Sequence, residues 1–304
     1  MGRSVIILAS EPSTIRATAF QVQALSILSL MTGLAYLAAG ACLALGFFHA
    51  RAGLRYLGAV LGIAAVLSHA VTLWLNMATP LGWDVNFLNS LSLAAWMIVA
   101  VLLLGSVRMR SLEAGIIAFP GAALMVWLQW LAQPSPMILG RLSPMLEVHV
   151  FSSLLAYSLL SIAAINAILV ASQDYMLRHP RPLRQLELLP PLSTVETLMF
   201  RLILGGWLVL SMSLLTGLVY LDDLMAQHLA HKTVLSILSW LLFGLLLGGR
   251  WWFGWRGRRA VNWALTAMVV LALAYFGSRL VLEMILDRSW SGPADSLVSL
   301  MLST

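Results

Sequence analysis

Residues 146–172 read LEVHVFSSLLAYSLLSIAAINAILVAS, a run in which Glu147 is the only acidic or basic residue besides histidine. A helix needs about 20 consecutive apolar residues to cross the bilayer hydrocarbon, and this run is long enough. Backbone in lipid must satisfy its own hydrogen bonds, which favours helices. Together with Leu146–Ser172, the sequence contains seven further runs: Gln23–Phe48, Leu54–Asn76, Asn86–Val107, Ala114–Leu131, Leu198–Leu221, Thr233–Gly249 and Ala260–Leu286. They predict an all-α, polytopic membrane protein with eight transmembrane helices.

The composition supports this fold class. Hydrophobic residues make up 61% of the chain and charged residues 10%, whereas soluble domains carry about 25% charged residues. No segment between the runs is long enough for a separate soluble domain, so we expect a single transmembrane domain over residues 1–304. Cys42 is the only cysteine, which excludes an intrachain disulfide and a cysteine-based metal site.

Basic residues are concentrated in alternate connections between the runs. They follow spans one, three, five and seven, whereas residues 77–85 contain none. Because cytoplasmic loops of membrane proteins are enriched in lysine and arginine, this alternation predicts that both termini face away from the cytoplasm. The net charge of +6 is then explained by basic residues in the predicted cytoplasmic loops and does not indicate nucleic-acid binding. The alternating residues are Arg51, Arg55, Arg108, Arg110, Arg178, Arg181, Arg184, Arg250, Arg256, Arg258 and Arg259.

Three histidines fall near the predicted outer side of the membrane. His69 lies in the outer half of span two, His149 at the start of span five and His231 at the start of span seven. Ionisable side chains at this depth are costly, so they are candidate functional residues. Imidazole is a common axial ligand of haem iron and of other metals. The alternative is that each is an interfacial histidine bonded to a backbone carbonyl.

Further polar side chains surround these histidines in the predicted helices. Tyr157 follows His149 at i+8 and therefore lies on the same helix face. Arg279, near the outer end of span eight, and Lys232, next to His231, carry the positive charge that a carboxylate such as a haem propionate requires. For Arg279 the alternative is a structural ion pair with Glu283, one turn away, or extension of its guanidinium to the interface.

Several stretches of the chain resemble a known family. The sequence Met145–Val150 with Ser153, Ala156–Ser158 and Gln173–Tyr175 is similar to the histidine-bearing helix of the CcsA/ResC/CcmC cytochrome c assembly family. Other stretches resemble its YpjD/HemX-like branch of eight-helix inner-membrane proteins: Ser68–Ala70, Pro190–Leu192 with Met199-Phe200, Thr216–Tyr220, His231–Ser236, Gly254–Arg259 and Ala274–Arg279.

The resemblance implies non-covalent binding of b-type haem in the bacterial inner membrane, for cytochrome c maturation or a related pathway. His149 matches the family's outer-face histidine before the Ser/Tyr helix, and His231 matches the His-Lys-Thr position of the branch. The two are the implied axial ligands, with His69 as an alternative ligand or second site. Family members that deliver haem carry a tryptophan-rich WWD loop, which Asp222–Ala230 lacks. We therefore expect haem binding, without covalent catalysis, and protein partners in cytochrome c or haem pathways.

Two other functions remain open from the sequence. A regulatory or scaffold protein of the HemX type, acting on haem biosynthesis, would work through the predicted cytoplasmic loop 173–197 and bind no haem. A haem transporter would need a continuous polar path across the bilayer. The inner halves of the predicted spans are almost wholly apolar, which argues against such a path.

Overall fold

The computed structural model describes residues 12–80, 82–109, 112–132, 136, 138–139, 144–178, 191–220 and 227–277. Within these ranges, eight helices are long and apolar enough to cross a membrane, which confirms the predicted fold class. They are α1 (Pro12–Phe48), α2 (Ala52–Met77), α3 (Phe87–Met109), α4 (Gly115–Ala132), α5 (Pro144–Arg178), α6 (Leu192–Tyr220), α7 (Gln227–Phe253) and α8 (Gly257–Ala272). A 3₁₀ turn (Leu112–Ala114) precedes α4, and a π-helical turn (Leu273–Gly277) follows α8.

Several helices extend beyond the predicted apolar runs. Helix α5 continues to Arg178, where the Arg178 guanidinium pairs with Asp174 at 3.0 Å, one turn earlier. Helix α6 begins directly after Pro191, whose carbonyl accepts from the backbone N–H groups of Thr194 at 2.8 Å and Val195 at 3.3 Å. Hydropathy identifies only the membrane-embedded part of a helix. A prediction from hydropathy therefore places the polar end turns of a helix in the connecting loop. The predicted loop 173–197 therefore belongs partly to α5 and α6, and residues 179–190 lie outside the described ranges.

The described helices form two groups, each with its own core. The first core joins α1–α4 around fully buried Tyr36 and Phe119, together with a contribution from Ile162 of α5. The second joins α5–α8 around Leu160, Met199, Ile203, Phe243 and Leu246. Helix α5 connects the two groups because it packs along α6 and α8 and also contacts α3.

A small antiparallel sheet lies at one end of the bundle and was not predicted from the sequence. Its strands are β1 (Ala78–Thr79), β2 (Gly82–Asp84) and β3 (Ile138–Leu139), in the order β1-β2-β3. Ala78 pairs with Trp83, and Asp84 pairs with Ile138. Strands of two or three residues are too short to show an alternating pattern. The sheet ties the connection after α2 to the connection after α4.

A buried glutamate on α6 fixes the turn between α7 and α8 at the opposite end. Glu196 accepts a hydrogen bond from Arg256 at 3.3 Å and one from the backbone N–H of Gly257 at 3.1 Å. Arg250 lies 3.7 Å from the same carboxylate. Gly254 and Gly257 adopt φ values of 62° and 56°, which glycine tolerates without strain.

Candidate functional site

His149 lies in the first two turns of α5 and points toward α6. Its Nδ1 is 3.0 Å from the backbone carbonyl of Ser213 and 3.2 Å from the Thr216 hydroxyl. A carbonyl only accepts, so Nδ1 carries the proton and the neutral ring has its lone pair on Nε2. Nε2 has no hydrogen-bond partner among the described residues. This is the arrangement of a metal-binding histidine, whose second nitrogen is held by a carbonyl.

Small and hydroxylated residues of α6 make room for this imidazole. A Cβ atom added at Gly217 would lie 3.0 Å from Cε1 of His149. One turn further along α5, the Ser153 hydroxyl bonds the Ser213 hydroxyl at 2.6 Å and donates to the His149 carbonyl at 2.7 Å. At Gly206, an added Cβ would meet Leu160 at 2.7 Å. The small-residue stripe of α6 therefore faces α5, where it permits close packing.

Tyr157 lies further along α5, in an aromatic cluster. Its ring centroid is 5.5 Å from those of both Tyr275 and Phe276, which belong to the π-helical turn after α8. Phe276 in turn contacts Phe87 at the start of α3, with 6.0 Å between centroids. The cluster joins three helices, so Tyr157 has a packing role in addition to its proposed place near a cofactor.

His69 occupies a different environment, inside the α1–α4 group. Its side chain is fully buried, with Nδ1 3.1 Å from the Tyr36 hydroxyl and Nε2 2.9 Å from the Ser92 hydroxyl. Both ring nitrogens are thus engaged by protein groups on α1 and α3. An iron ligand needs a nitrogen lone pair that is not already hydrogen-bonded, so this geometry disfavours His69 as a ligand.

The polar residues that follow His69 on α2 also bond inside their own helix. The Thr72 hydroxyl donates to the His69 carbonyl at 2.8 Å, and the Asn76 amide donates to the Thr72 carbonyl at 2.8 Å. These bonds satisfy the side chains locally, as is common for polar residues in transmembrane helices.

The remaining predicted site residues are only partly described. His231 lies in the first two turns of α7, which begins before the predicted run Thr233–Gly249. Its side chain is outside the described part of the structure. Lys232 is half-buried. Arg279 and Glu283 lie beyond the described residues, which end at Gly277.

A buried polar network caps α3 near the small sheet. Asp84 accepts hydrogen bonds from the backbone and side-chain nitrogens of Asn86 at 3.2 and 3.1 Å. The Asn86 side chain then accepts from the backbone N–H of Asn89 at 2.9 Å. Gln129 of α4 donates to Asn89 at 2.8 Å. Each of these four side chains has a hydrogen-bond partner in the protein. The network therefore caps the N-terminus of α3 and joins α3 to α4.

Three buried polar residues with structural roles were not predicted from the sequence. Tyr36 and Ser92, which bind His69, are polar residues within apolar runs, but other polar residues lie nearby in the same runs, so the sequence does not single them out. Glu196 is the third, an acidic residue shortly after the proline pair that precedes α6. Among the described residues, no group of three or more His, Cys, Asp or Glu side chains is arranged to hold a metal ion.

Comparison with known proteins identifies a family over most of the chain. Residues 57–286 match the family described as "Cytochrome C assembly protein". The protein named inner membrane protein YpjD of Escherichia coli K12 is 31% identical over 261 residues, covering 85% of this chain and 99% of that protein.

Two further relatives are more distant. An uncharacterized 28.8 kDa protein of Azospirillum brasilense is 28% identical over 227 residues, covering 70% of this chain and 84% of that protein. The cytochrome c biogenesis protein CcsA of Synechococcus sp. CC9605 is 28% identical over 89 residues, or 29% of each chain. No solved structure matches this chain.

Proposed function

The chain belongs to the cytochrome C assembly protein family, and we propose that it is a multi-pass membrane protein that binds haem through His149. The carrying observation is the geometry of that imidazole, whose Nδ1 donates to the Ser213 carbonyl at 3.0 Å. This bond fixes the ring and leaves the Nε2 lone pair available for iron. Ordinary interfacial histidines can make the same carbonyl bond, so the available Nε2 is the feature to test.

The donor set favours haem over a bare metal ion. A protein site for a bare transition metal generally supplies three or four ligands, and no such group occurs among the described residues. Haem iron already has four porphyrin nitrogens and needs one or two axial ligands from the protein. His149 would provide one, and His231 is the proposed second. The haem would supply redox-active iron, while the protein would determine its ligation.

We propose that Lys232 and Arg279 pair with the haem propionates, because a guanidinium or ammonium group binds a carboxylate strongly. Tyr157 would contribute an aromatic wall near the same end of the bundle, given its packing against Tyr275. The role is binding, without catalysis. The location is the inner membrane, for which the name of the Escherichia coli relative gives support.

Partners in a cytochrome c or haem pathway are part of this proposal. The family description and the name of the Synechococcus relative, a cytochrome c biogenesis protein, both favour them. Haem bound at His149 would lie on the side of the membrane predicted to face away from the cytoplasm. We therefore propose that such partners contact that end of the bundle.

The test is the visible absorption spectrum of the protein purified in mild detergent, with haem quantified. We expect a Soret band and, after reduction, sharp α and β bands of low-spin haem. His149→Ala and His231→Ala should each lower haem content at least about tenfold. Loss of a group that only orients a metal ligand already lowers metal affinity about tenfold or more. His49→Ala is the matched control, because the ring of this exposed histidine, directly after α1, bonds the Leu45 carbonyl of α1 and lies outside the proposed site.

Unchanged haem content in both variants, at normal yield, would reject the proposed ligands. A flat spectrum that stays flat after haemin is added would reject haem binding altogether. In that case the regulatory function through the loop 173–197 becomes the better explanation, and the histidines are structural.

A further inference from the structure

An apolar groove runs between α6 and α7, away from the histidines. It has a volume of about 510 Å³, within the range of about 300–1,000 Å³ that is typical of ligand sites. The groove persists because α6 and α7 share a much smaller interface than α5 and α6. Its walls are formed by Trp207, Trp240, Trp252, Trp255, Phe253 and Leu245, together with three glycines of α7.

Two of the tryptophans that line this groove stack on each other. The Trp207 and Trp240 rings are stacked, with 5.3 Å between centroids and 14° between planes. The Trp207 indole N–H donates to the Trp240 carbonyl at 3.0 Å, and the Trp240 indole N–H donates to the Ser211 hydroxyl at 2.8 Å. Because these N–H groups are already bonded, the inner groove offers almost no hydrogen bonds. This lining favours an apolar occupant such as an acyl chain.

The glycines of α7 keep the floor of the groove open. A Cβ atom at Gly244 would lie 3.4 Å from the Trp207 indole nitrogen, and one at Gly248 would lie 3.2 Å from the Trp252 ring. At Gly249, an added Cβ would collide with the Trp255 ring. Larger side chains at these positions would press on the tryptophan rings that form the walls and would change the shape of the groove.

The end of the groove near the α7–α8 turn is strongly basic. Trp255, which lines that end, has the Arg259 guanidinium 4.7 Å above its ring. Arg258, the preceding residue on α8, is exposed. Glu196 is engaged by Arg250 and Arg256, and among the described residues no carboxylate pairs with Arg258 or Arg259. The mouth therefore carries net positive charge, complementary to an anionic headgroup.

We propose that this groove holds one anionic phospholipid, with an acyl chain along the tryptophans and its phosphate at Arg258 and Arg259. Basic pockets beside transmembrane helices recognise acidic lipid headgroups in this way. An isoprenoid quinone would leave the two arginines without a counter-ion, and the residues that line the groove include no histidine to bind haem iron. The site is independent of the haem proposal, because its residues do not touch His149.

The test is native mass spectrometry of the purified full chain, given phosphatidylglycerol or phosphatidylcholine with identical acyl chains. We expect one phosphatidylglycerol to remain bound under conditions that strip phosphatidylcholine. Arg258→Gln combined with Arg259→Gln should reduce this retention about fivefold or more, given the usual effect of one basic residue near an anionic lipid. Gly244→Leu should abolish it by filling the groove.

Matched controls separate this site from general lipid contact. Arg51→Gln combined with Arg55→Gln removes two exposed arginines from another turn, and Gly121→Leu adds a side chain at an exposed glycine with open space around it. Both controls should keep wild-type retention. Equal retention of the two lipids, or loss in the controls to the same degree, would overturn the proposal. Retention of haem or a quinone in the groove would also overturn it. So would unchanged phosphatidylglycerol retention in the double arginine variant, which should fold normally because both changes are on the surface.

Discussion

At the scale of single residues, hydrogen-bond partners distinguish two histidines that look equivalent in the sequence. His69 is fully buried and bonds Tyr36 and Ser92 through its two ring nitrogens. His149 is half-buried and bonds α6 through Nδ1 alone. The first geometry holds three helices together, whereas the second leaves a nitrogen that can bind iron. Ligand capacity therefore depends on what surrounds each imidazole and not on its depth.

Gly217 gives a residue-scale prediction for the proposed site. In Gly217→Ala the new Cβ would lie 3.0 Å from Cε1 of His149, so the ring must shift. We expect the free energy of unfolding to fall by about 1–3 kcal/mol, as for other overpacked cores. Haem retention should fall about tenfold, because the ligand loses its orientation. Denaturant titration and the Soret absorbance measure the two effects.

Gly205→Ala is the control for this change, since nothing lies within 4 Å of a Cβ added there on the same helix. It should leave both stability and haem content unchanged. If Gly217→Ala also leaves haem content unchanged while His149→Ala removes it, the ring position is not set by α6.

At the scale of elements, one buried acid holds the turn between α7 and α8. The Glu196 side chain is 6% exposed and contacts Arg250, Arg256 and the first residue of α8, Gly257. Arg250 also lies 4.8 Å above the Phe200 ring and donates to the Trp255 carbonyl at 3.3 Å. These contacts join three consecutive helices at one end of the bundle.

Replacing this acid should loosen the turn. Glu196→Ala leaves the Arg256 guanidinium and the Gly257 backbone N–H without their acceptor and Arg250 without its counter-ion, and we expect the free energy of unfolding to fall by about 2–3 kcal/mol. This is below the ~3–5 kcal/mol of a fully buried pair, because Arg256 is 60% exposed and remains hydrated. Trypsin cleavage after Arg256 and Arg258 should become faster, as read by mass spectrometry of the fragments.

Asp174→Ala provides the comparison, because it breaks the exposed i,i+4 pair with Arg178. That pair should contribute only about 0.3–0.5 kcal/mol. Equal effects of the two substitutions would mean that Glu196 does not organise the turn.

At the scale of the whole molecule, the eight helices form two groups joined by α5. His69 belongs to the first core and His149 to the seam between α5 and α6 in the second. The small sheet, the cap of α3 and the start of α5 lie at one end, and the Glu196 cluster lies at the other. The alternation of basic residues predicts that the Glu196 end faces the cytoplasm.

Cysteine labelling tests this orientation. In a Cys42→Ala background, Pro136→Cys should react with a membrane-impermeant maleimide in spheroplasts, because it lies at the end predicted to face outward. Arg51→Cys should react only after the membrane is opened, since it lies in the turn between α1 and α2. Both positions are exposed in the structure, so exposure does not bias the result. The reverse labelling pattern would contradict the predicted topology.

The sequence by itself determined the fold class and the number of helices, because a bilayer requires long apolar helices whatever their neighbours. It also placed His149 near one end of the bundle and the basic residues in alternate turns. It could not determine helix ends, because hydropathy identifies only the residues that lie within the bilayer hydrocarbon. Polar turns at a helix end have the same composition as a loop. The ends of α5, α6 and α7 therefore extended beyond the predicted runs.

Only the tertiary structure decided which polar groups meet. Tyr36 and Ser92 are distant from His69 in sequence, and Glu196 is distant from Arg256, so no local pattern joins them. The groove beside Trp207 depends in the same way on how closely α6 and α7 approach. Helix periodicity fixes which residues share a face, but packing between helices determines what that face contacts, and in this protein that contact separates a structural histidine from a proposed ligand.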